Sequence, residues 1–174
     1  MTANALAETH HGVLLNISGQ GIFIMGEPGI GKSSLALECL YQGHQLIADD
    51  IAEFTIIGQQ IIGRCPTLIS NLLHTRELGL ISVTTHFGQQ AWQTQTQLDW
   101  GIRLQNNSPM ESNGISPRLS TTRICQQAVP TLTLSTHNPA SLAHRIQTWV
   151  TLQATAHQTE TQFKRKQQQT MAAQ

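Results

Sequence analysis

The densest chemistry in this 174-residue chain lies in one octapeptide: Gly26, Glu27, Pro28, Gly29, Ile30, Gly31, Lys32 and Ser33. It satisfies the pattern G-x-x-x-x-G-K-[ST] at every fixed position. Glycines at these spacings let the backbone wrap a phosphate with its N–H groups turned inward, and the helix that follows adds its positive end. In that geometry the Lys32 ammonium reaches the outer phosphates and the Ser33 hydroxyl ligates Mg²⁺. Lys32 is one of three lysines, the others being Lys164 and Lys166 near the C-terminus, so its place in the motif does not follow from a lysine-rich composition. The octapeptide predicts a phosphate or nucleotide site.

Asp49 and Asp50 form the second constellation; they are two of the three aspartates and stand at the end of an apolar run. A carboxylate there can hold Mg²⁺, directly or through water, or take a proton from an attacking hydroxyl. Neighbours along a strand point to opposite faces, so the two carboxylates are expected to take different roles. The competing reading is a solvated turn that closes the strand. His10 and His11 lie just before the first expected strand. Among eight histidines their spacing alone marks nothing beyond surface residues, and none falls into a zinc pattern with Cys39, Cys65 or Cys125. Arg64, Arg76, Arg103, Arg118, Arg123 and Arg145 can each reach a phosphate, and each reads first as a surface charge.

These residues need elements to position them. Residues 13–17 and 22–25 are short apolar runs separated by Ser18, Gly19, Gln20 and Gly21, which reads as two strands with a tight connection. The glycine-rich loop leaves the second strand directly. Lys32 to Gln42 then reads as a helix ended by Gly43. Leu46 to Ala48 reads as a buried strand, and Glu53 to Ile57 with Ile61 and Ile62 as a hairpin about Gly58. Pro66 is expected to open a short helix through Leu73. Leu80 to Val83, Leu98 to Leu104 and Thr131 to Ser135 are further strand candidates, and Pro139 is expected to start a helix through Val150. Asn106 to Leu119 is rich in Asn, Ser, Pro and Gly and reads as a long loop. One domain over 1–153 is expected, followed by a frayed or disordered Gln- and Thr-rich tail over 154–174 that holds the Lys164–Lys166 cluster. The fold class is mixed α/β on a P-loop (Walker A) core, with flanking helices and no long βαβαβ series.

Composition narrows the function classes. Ten basic residues balance ten acidic ones, which argues against general nucleic-acid binding. Charged residues are only 11%, against about 25% in ordinary soluble domains, and low net charge suits self-association. The three cysteines stand far apart and read as reduced thiols. No long apolar stretch and no export signal stand out, so a cytoplasmic location without membrane contact is expected.

Taken together, several segments resemble the C-terminal catalytic domain of HPr kinase/phosphorylase, in its short form. They are His11 to Leu15, the octapeptide Gly26 to Ser33, Gly43 to Asp50 and Leu72 to Ile81, in matching order from about His11 to Gly88, with a weaker match over Val129 to Leu134. The resemblance implies an ATP-binding, Mg²⁺-dependent kinase that phosphorylates a serine on an HPr-like phosphocarrier of the phosphotransferase system. It also implies a phosphorylase activity that removes the phosphoryl group with inorganic phosphate, and a homohexamer. His11 falls on the family's active-site histidine, Lys32 on the loop lysine, Ser33 on the magnesium serine and Asp50 on the proton acceptor. Two positions depart from the pattern. The family signature has a magnesium-binding glutamate where this chain has His74, followed here by Thr75, Arg76, Glu77, Leu78 and Gly79. A later catalytic arginine has no match in Pro139, Ala140 and Ser141. Imidazole is a poor Mg²⁺ ligand, so His74 does not replace the carboxylate. A nucleotide-binding regulatory module and a small-molecule kinase on the same core are the alternative readings.

Overall fold

Alternation along two adjacent strands explains how the chain builds a core on both faces of one sheet. β1 (Glu8–His11) leads into β2 (Val13–Ile17) and β3 (Gln20–Met25). Val13, Leu15, Ile17, Ile22 and Ile24 enter one apolar cluster, whereas Leu14, Phe23 and Met25 enter a second one on the opposite face. A strand covered on both sides has no polar positions to spare, which is why both runs are almost continuously hydrophobic. The computed structural model describes residues 7–107, 117, 119–153 and 168.

After β3 come α1 (Lys32–Tyr41), β4 (Gln45–Ala48), β5 (Ile51–Ile57) and β6 (Gln60–Arg64). A single 3₁₀ turn at Thr67–Ile69 precedes β7 (Leu72–Thr75) and β8 (Gly79–Ser82), then α2 (Val83–Phe87) and a second 3₁₀ turn. β9 (Gln95–Gln105), β10 (Leu119–Ile124), β11 (Gln127–Ser135) and α3 (Leu142–Gln153) complete the described elements.

Nine strands form one mixed sheet: seven follow the path β1-β5-β6-β9-β3-β2-β4, β11 joins through β9 and β10 through β11, and β7 and β8 form a separate hairpin. β9 is the organiser. Its first residues pair antiparallel with β6, and its later ones pair parallel with β11 on the same edge, while β3 runs parallel along the other edge. Eleven residues thus join two half-sheets, and the mixed α/β class expected from the sequence is the class observed. The first cluster packs the sheet against α1 and α3 through Leu35, Ala36, Cys39, Ile146, Trp149 and Val150. In the second, Phe23 and Phe54 meet edge-to-face at 5.0 Å, with His10 edge-on to both. No described helix is long and apolar enough to cross a membrane.

Several expectations need correction. The helix expected from Pro66 to Leu73 is one 3₁₀ turn, because Pro66 is extended (ψ 137°) and Leu73 is drawn into β7 opposite Ile81, where it is fully buried. Leu68, 92% exposed, has no surface to bury on which a longer helix could form. His10 and His11 lie within a strand, not before one, because β1 finds β5 as a partner, with His11 opposite Ile51. The last helix starts at Leu142, not at Pro139. Ser141 wins as its cap, accepting from the His144 N–H at 3.2 Å. β10 falls where the expected loop ends and was not foreseen. The remainder of that loop (108–116 and 118), and the expected tail apart from residue 168, lie outside the described residues.

Candidate active site

The glycine-rich loop connects the end of β3 to the start of α1, so a strand fixed on both faces aims it. Gly29 (φ +81°) and Gly31 (φ +105°) both sit in the left-handed region that only glycine adopts freely. Gly31 is also the residue before α1, and no side chain caps that helix, so its first N–H groups keep no side-chain partner. Ile30 turns back, its N–H donating to the Glu27 carbonyl at 3.2 Å while its side chain packs on the core. Lys32 Nζ donates to the carbonyls of Gly26 at 2.8 Å and Glu27 at 3.1 Å, which holds the ammonium across the mouth of the loop.

A cleft of about 420 Å³ opens beside this loop. Pro28, Gly29, Gly31, Lys32, Ser33 and Ser34 form one wall, Asp49 and Asp50 the floor, and His74 to Leu78 the opposite wall. Gly26, Glu27 and Ile30 shape the loop from behind. His11 is not among the lining residues; it is exposed on β1. Its neighbour Gly12 nevertheless donates its N–H to the Asp50 carbonyl at 2.9 Å, which ties β1 to the floor.

The two aspartates are divided by the backbone, and the reason is not strand alternation. β4 ends at Ala48, and Asp50 enters the left-handed region (φ +67°), a conformation Asp tolerates better than most residues. Asp49 is buried and Asp50 exposed. Asp49 Oδ1 accepts from the Ser33 hydroxyl at 2.9 Å, and its Oδ2 accepts from the His74 backbone N–H at 2.8 Å. Burial pushes the Asp49 carboxyl above the usual carboxylate range and Asp50 adds to this, while the bonds from His74 and Ser33 pull the other way. Ser33 Oγ and Asp49 Oδ1 are adjacent hard-oxygen donors. No group of three or more His, Cys, Asp or Glu gathers as a metal site among the described residues. That pairing fits Mg²⁺, which takes one or two protein oxygens and completes its shell with phosphates and water.

The third wall is the tip of the β7–β8 hairpin. Leu78 donates its N–H to Thr75 Oγ1 at 3.1 Å, closing the tip, and the His74 bond to Asp49 anchors it to the floor. The His74 side chain is exposed; only its backbone engages the carboxylate. Arg76 reaches across to the glycine-rich loop, so that a methyl group built on Gly29 would lie 3.1 Å from its guanidinium. The Asp49 grip on Ser33 and the position of Arg76 were missed as site features in the sequence. Asp49 was named without a separate role and Arg76 was read as a surface charge, although it stands in the recognised stretch Leu72 to Ile81. The positions of the missing late arginine do not line the cleft. Ser141 there bonds to Glu38 on α1. Burial pushes the Cys39 thiol up to about 12 and the Cys65 thiol up to about 11, with Glu53 and Asp49 adding to the latter, which disfavours the thiolate at both.

Comparison with known proteins shows the family and the fold. The family model for the HPr Serine kinase C-terminal domain matches residues 3–170. The chain is 47% identical over 97 residues to the HPr kinase/phosphorylase of Cupriavidus metallidurans, covering 55% of this chain and 30% of that protein. It is 48% identical over 88 residues to the HPr kinase/phosphorylase of Nitrosomonas europaea, covering 50% and 27%. The matched stretch is thus less than a third of the length of these curated relatives. A solved structure, the Hpr(Ser) kinase/phosphatase from Coxiella burnetii, superposes with TM-score 0.80 at 29% identity, covering 90% of this chain and 98% of that one.

Proposed function

We propose that this chain, which belongs to the HPr serine kinase C-terminal domain family, binds ATP and Mg²⁺ and transfers the γ-phosphoryl group to a serine of an HPr-like phosphocarrier protein in the cytoplasm. The observation that carries this reading is the cleft itself, where a glycine-rich loop, a lysine, a Ser–Asp oxygen pair and an exposed aspartate meet. Phosphoryl transfer asks the protein for positioning and charge neutralisation more than for covalent chemistry, and these are the groups it needs.

In this account the backbone from Gly26 to Gly31 and the Lys32 ammonium hold the phosphates. Ser33 and Asp49 would hold Mg²⁺, whose contribution when bound is to neutralise phosphate charge. Asp50, exposed on the cleft floor, accepts the proton of the carrier serine as its oxygen bonds to the γ-phosphorus. The bond from that phosphorus to the β–γ bridging oxygen breaks and ADP leaves. His11, joined to Asp50 through Gly12, adjusts the field at the proton acceptor. Leu78 and Leu80, each 65% exposed on the hairpin, give the rim an apolar surface suited to a protein substrate. Self-association as a hexamer is part of the proposal, in keeping with the zero net charge.

The test is nucleotide consumption with and without a purified HPr-like protein. Consumption that rises with carrier concentration is the expected result. Consumption that ignores the carrier, or that responds to a small metabolite instead, refutes the proposed substrate. A regulatory module has one specific observation in its favour, the exposed His74 in place of the signature glutamate; it requires nucleotide binding without consumption.

A further inference from the structure

The backbone of Asp50 is held from outside its own turn, by the Gly12 N–H that donates to its carbonyl at 2.9 Å. This bond continues the β1–β5 ladder by one step, since His11 already stands opposite Ile51. β1 is four residues long and ends the sheet, with β5 as its one strand partner. Gly12 passes so close to β3 that a methyl group on it would lie 2.5 Å from the Ile24 carbonyl and 2.6 Å from the Phe23 ring. Only bare backbone fits there, so whatever places β1 along β5 also sets the bond to Asp50.

Four residues back, about 13 Å along an extended strand, Glu8 joins two further groups. Its carboxylate accepts from His10 Nε2 at 2.7 Å and from the Cys125 backbone N–H. Cys125 and Gln126 form the turn between β10 and β11, at φ +50° and +62°. A turn with two left-handed residues favours Asn-Gly or Asp-Gly, and Cys-Gln is neither. It is held instead by Glu8 and by its own thiol, which donates to the Phe54 carbonyl at 3.3 Å. The β6-β5-β1 arm and the β11-β10 arm leave the same edge of β9. Among the described residues, the two bonds at Cys125 are the hydrogen bonds that join these arms. Burial works to raise the Glu8 carboxyl, but the Cys125 and His10 contacts outweigh it and hold the group below the ordinary carboxylate value.

We propose that Glu8 is a positioning residue for the proton acceptor: it clasps β1 to the β10–β11 turn and so fixes the Gly12 bond that holds the Asp50 backbone. The proposal rests on the reading of Asp50 given above and adds to it a residue that does not line the cleft. With the clasp in place, Asp50 offers its carboxylate to the carrier serine from one position. Without it, β1 keeps its ladder to β5 but loses its anchor at the far end. The left-handed turn at Asp50, which Asp tolerates but does not prefer, then loses its outside support. The glycine-rich loop leaves β3, which β2 and β9 hold on either side, so phosphate binding does not depend on the clasp.

The test combines amide hydrogen exchange by NMR, ATP affinity by calorimetry and steady-state phosphorylation of a purified HPr-like protein, all on the full chain. Wild type, Glu8→Ala and Glu8→Gln are compared. In Glu8→Ala the Gly12 amide is expected to exchange about tenfold faster or more, the loss of one charge-assisted hydrogen bond. Its kcat should fall by a similar factor, while ATP affinity and the exchange of the β9 amides match the wild type. Glu8→Gln keeps an oxygen for the Cys125 N–H and should recover part of both losses. Faster exchange throughout the chain makes Glu8 a general stabiliser and overturns the proposal. So does unchanged exchange at Gly12, or a raised KM for ATP with kcat intact. A wild type that phosphorylates no carrier removes the reading of Asp50 and the proposal with it. An active wild type that Glu8→Ala equals in kcat removes the proposal alone.

Discussion

Asp49 and Asp50 show how little sequence adjacency says about role. One backbone step, the turn of Asp50 into the left-handed region, buries the first carboxylate against Ser33 and leaves the second exposed on the cleft floor. Their variants should therefore separate. Asp50→Asn is nearly isosteric and is expected to lower turnover about 10²–10⁴-fold while nucleotide affinity holds, as for a lost general base. Asp49→Asn should instead raise the Mg²⁺ concentration needed for half-maximal turnover, and excess Mg²⁺ should restore part of the rate by mass action. A titration of rate against Mg²⁺ for both variants tests this, and the assignment is reversed if Asp50→Asn shows the metal dependence. The octapeptide and both aspartates were legible as chemistry because lysine and aspartate each occur only three times in this chain and the spacing of the loop is fixed by phosphate geometry. The Ser33–Asp49 bond was not, because it depends on where β4 stops, a boundary set by tertiary packing.

At the scale of elements, β2, β3, α1 and β4 were readable because apolar periodicity and glycine punctuation agree there. The β7–β8 hairpin was only half readable: the strand expected over Leu80 to Val83 overlaps β8, but β7 was expected to be helical. Local signals at Pro66 favoured a helix, but Leu73 gains more by pairing with Ile81 and burying its side chain beneath the site. Half of the cleft wall thus came from a segment whose local preferences pointed elsewhere. The junction between α1 and β4 makes a further prediction. His44 there is 8% exposed, and burial holds its imidazole below the ordinary value of 6.5, with Gln147 on α3 working in the opposite direction. A depressed value in the folded chain means that the unfolded chain binds more protons. The stability that neutral His44 provides is thus complete above about pH 6.5 and is lost as pH falls through the lower folded value. Urea midpoints measured across that range should drop with acidification in wild type and drop less in His44→Gln. Parallel curves for the two proteins refute this.

For the molecule as a whole, the two directions of phosphate chemistry need not survive together. In the proposed reaction, forward transfer uses the loop, the Ser33–Asp49 pair and Asp50, which meet at the cleft. Reverse transfer asks inorganic phosphate to attack the carrier phosphoserine, releasing pyrophosphate and returning the proton to the serine oxygen. It must bind two anions at once, without the late arginine and with His74 in place of a carboxylate. Kinase turnover should therefore exceed phosphorylase turnover at saturating Mg²⁺. Pyrophosphate release as fast as the forward reaction contradicts that expectation. The central claim, that this cleft moves a phosphoryl group from ATP to a carrier serine, has a direct measurement. Wild type and Asp50→Asn are incubated with ATP, Mg²⁺ and a purified HPr-like protein, and the carrier is mapped by mass spectrometry. One phosphoserine formed by the wild type and strongly reduced with Asp50→Asn is the predicted result. A carrier that stays unmodified while the wild type binds ATP contradicts it.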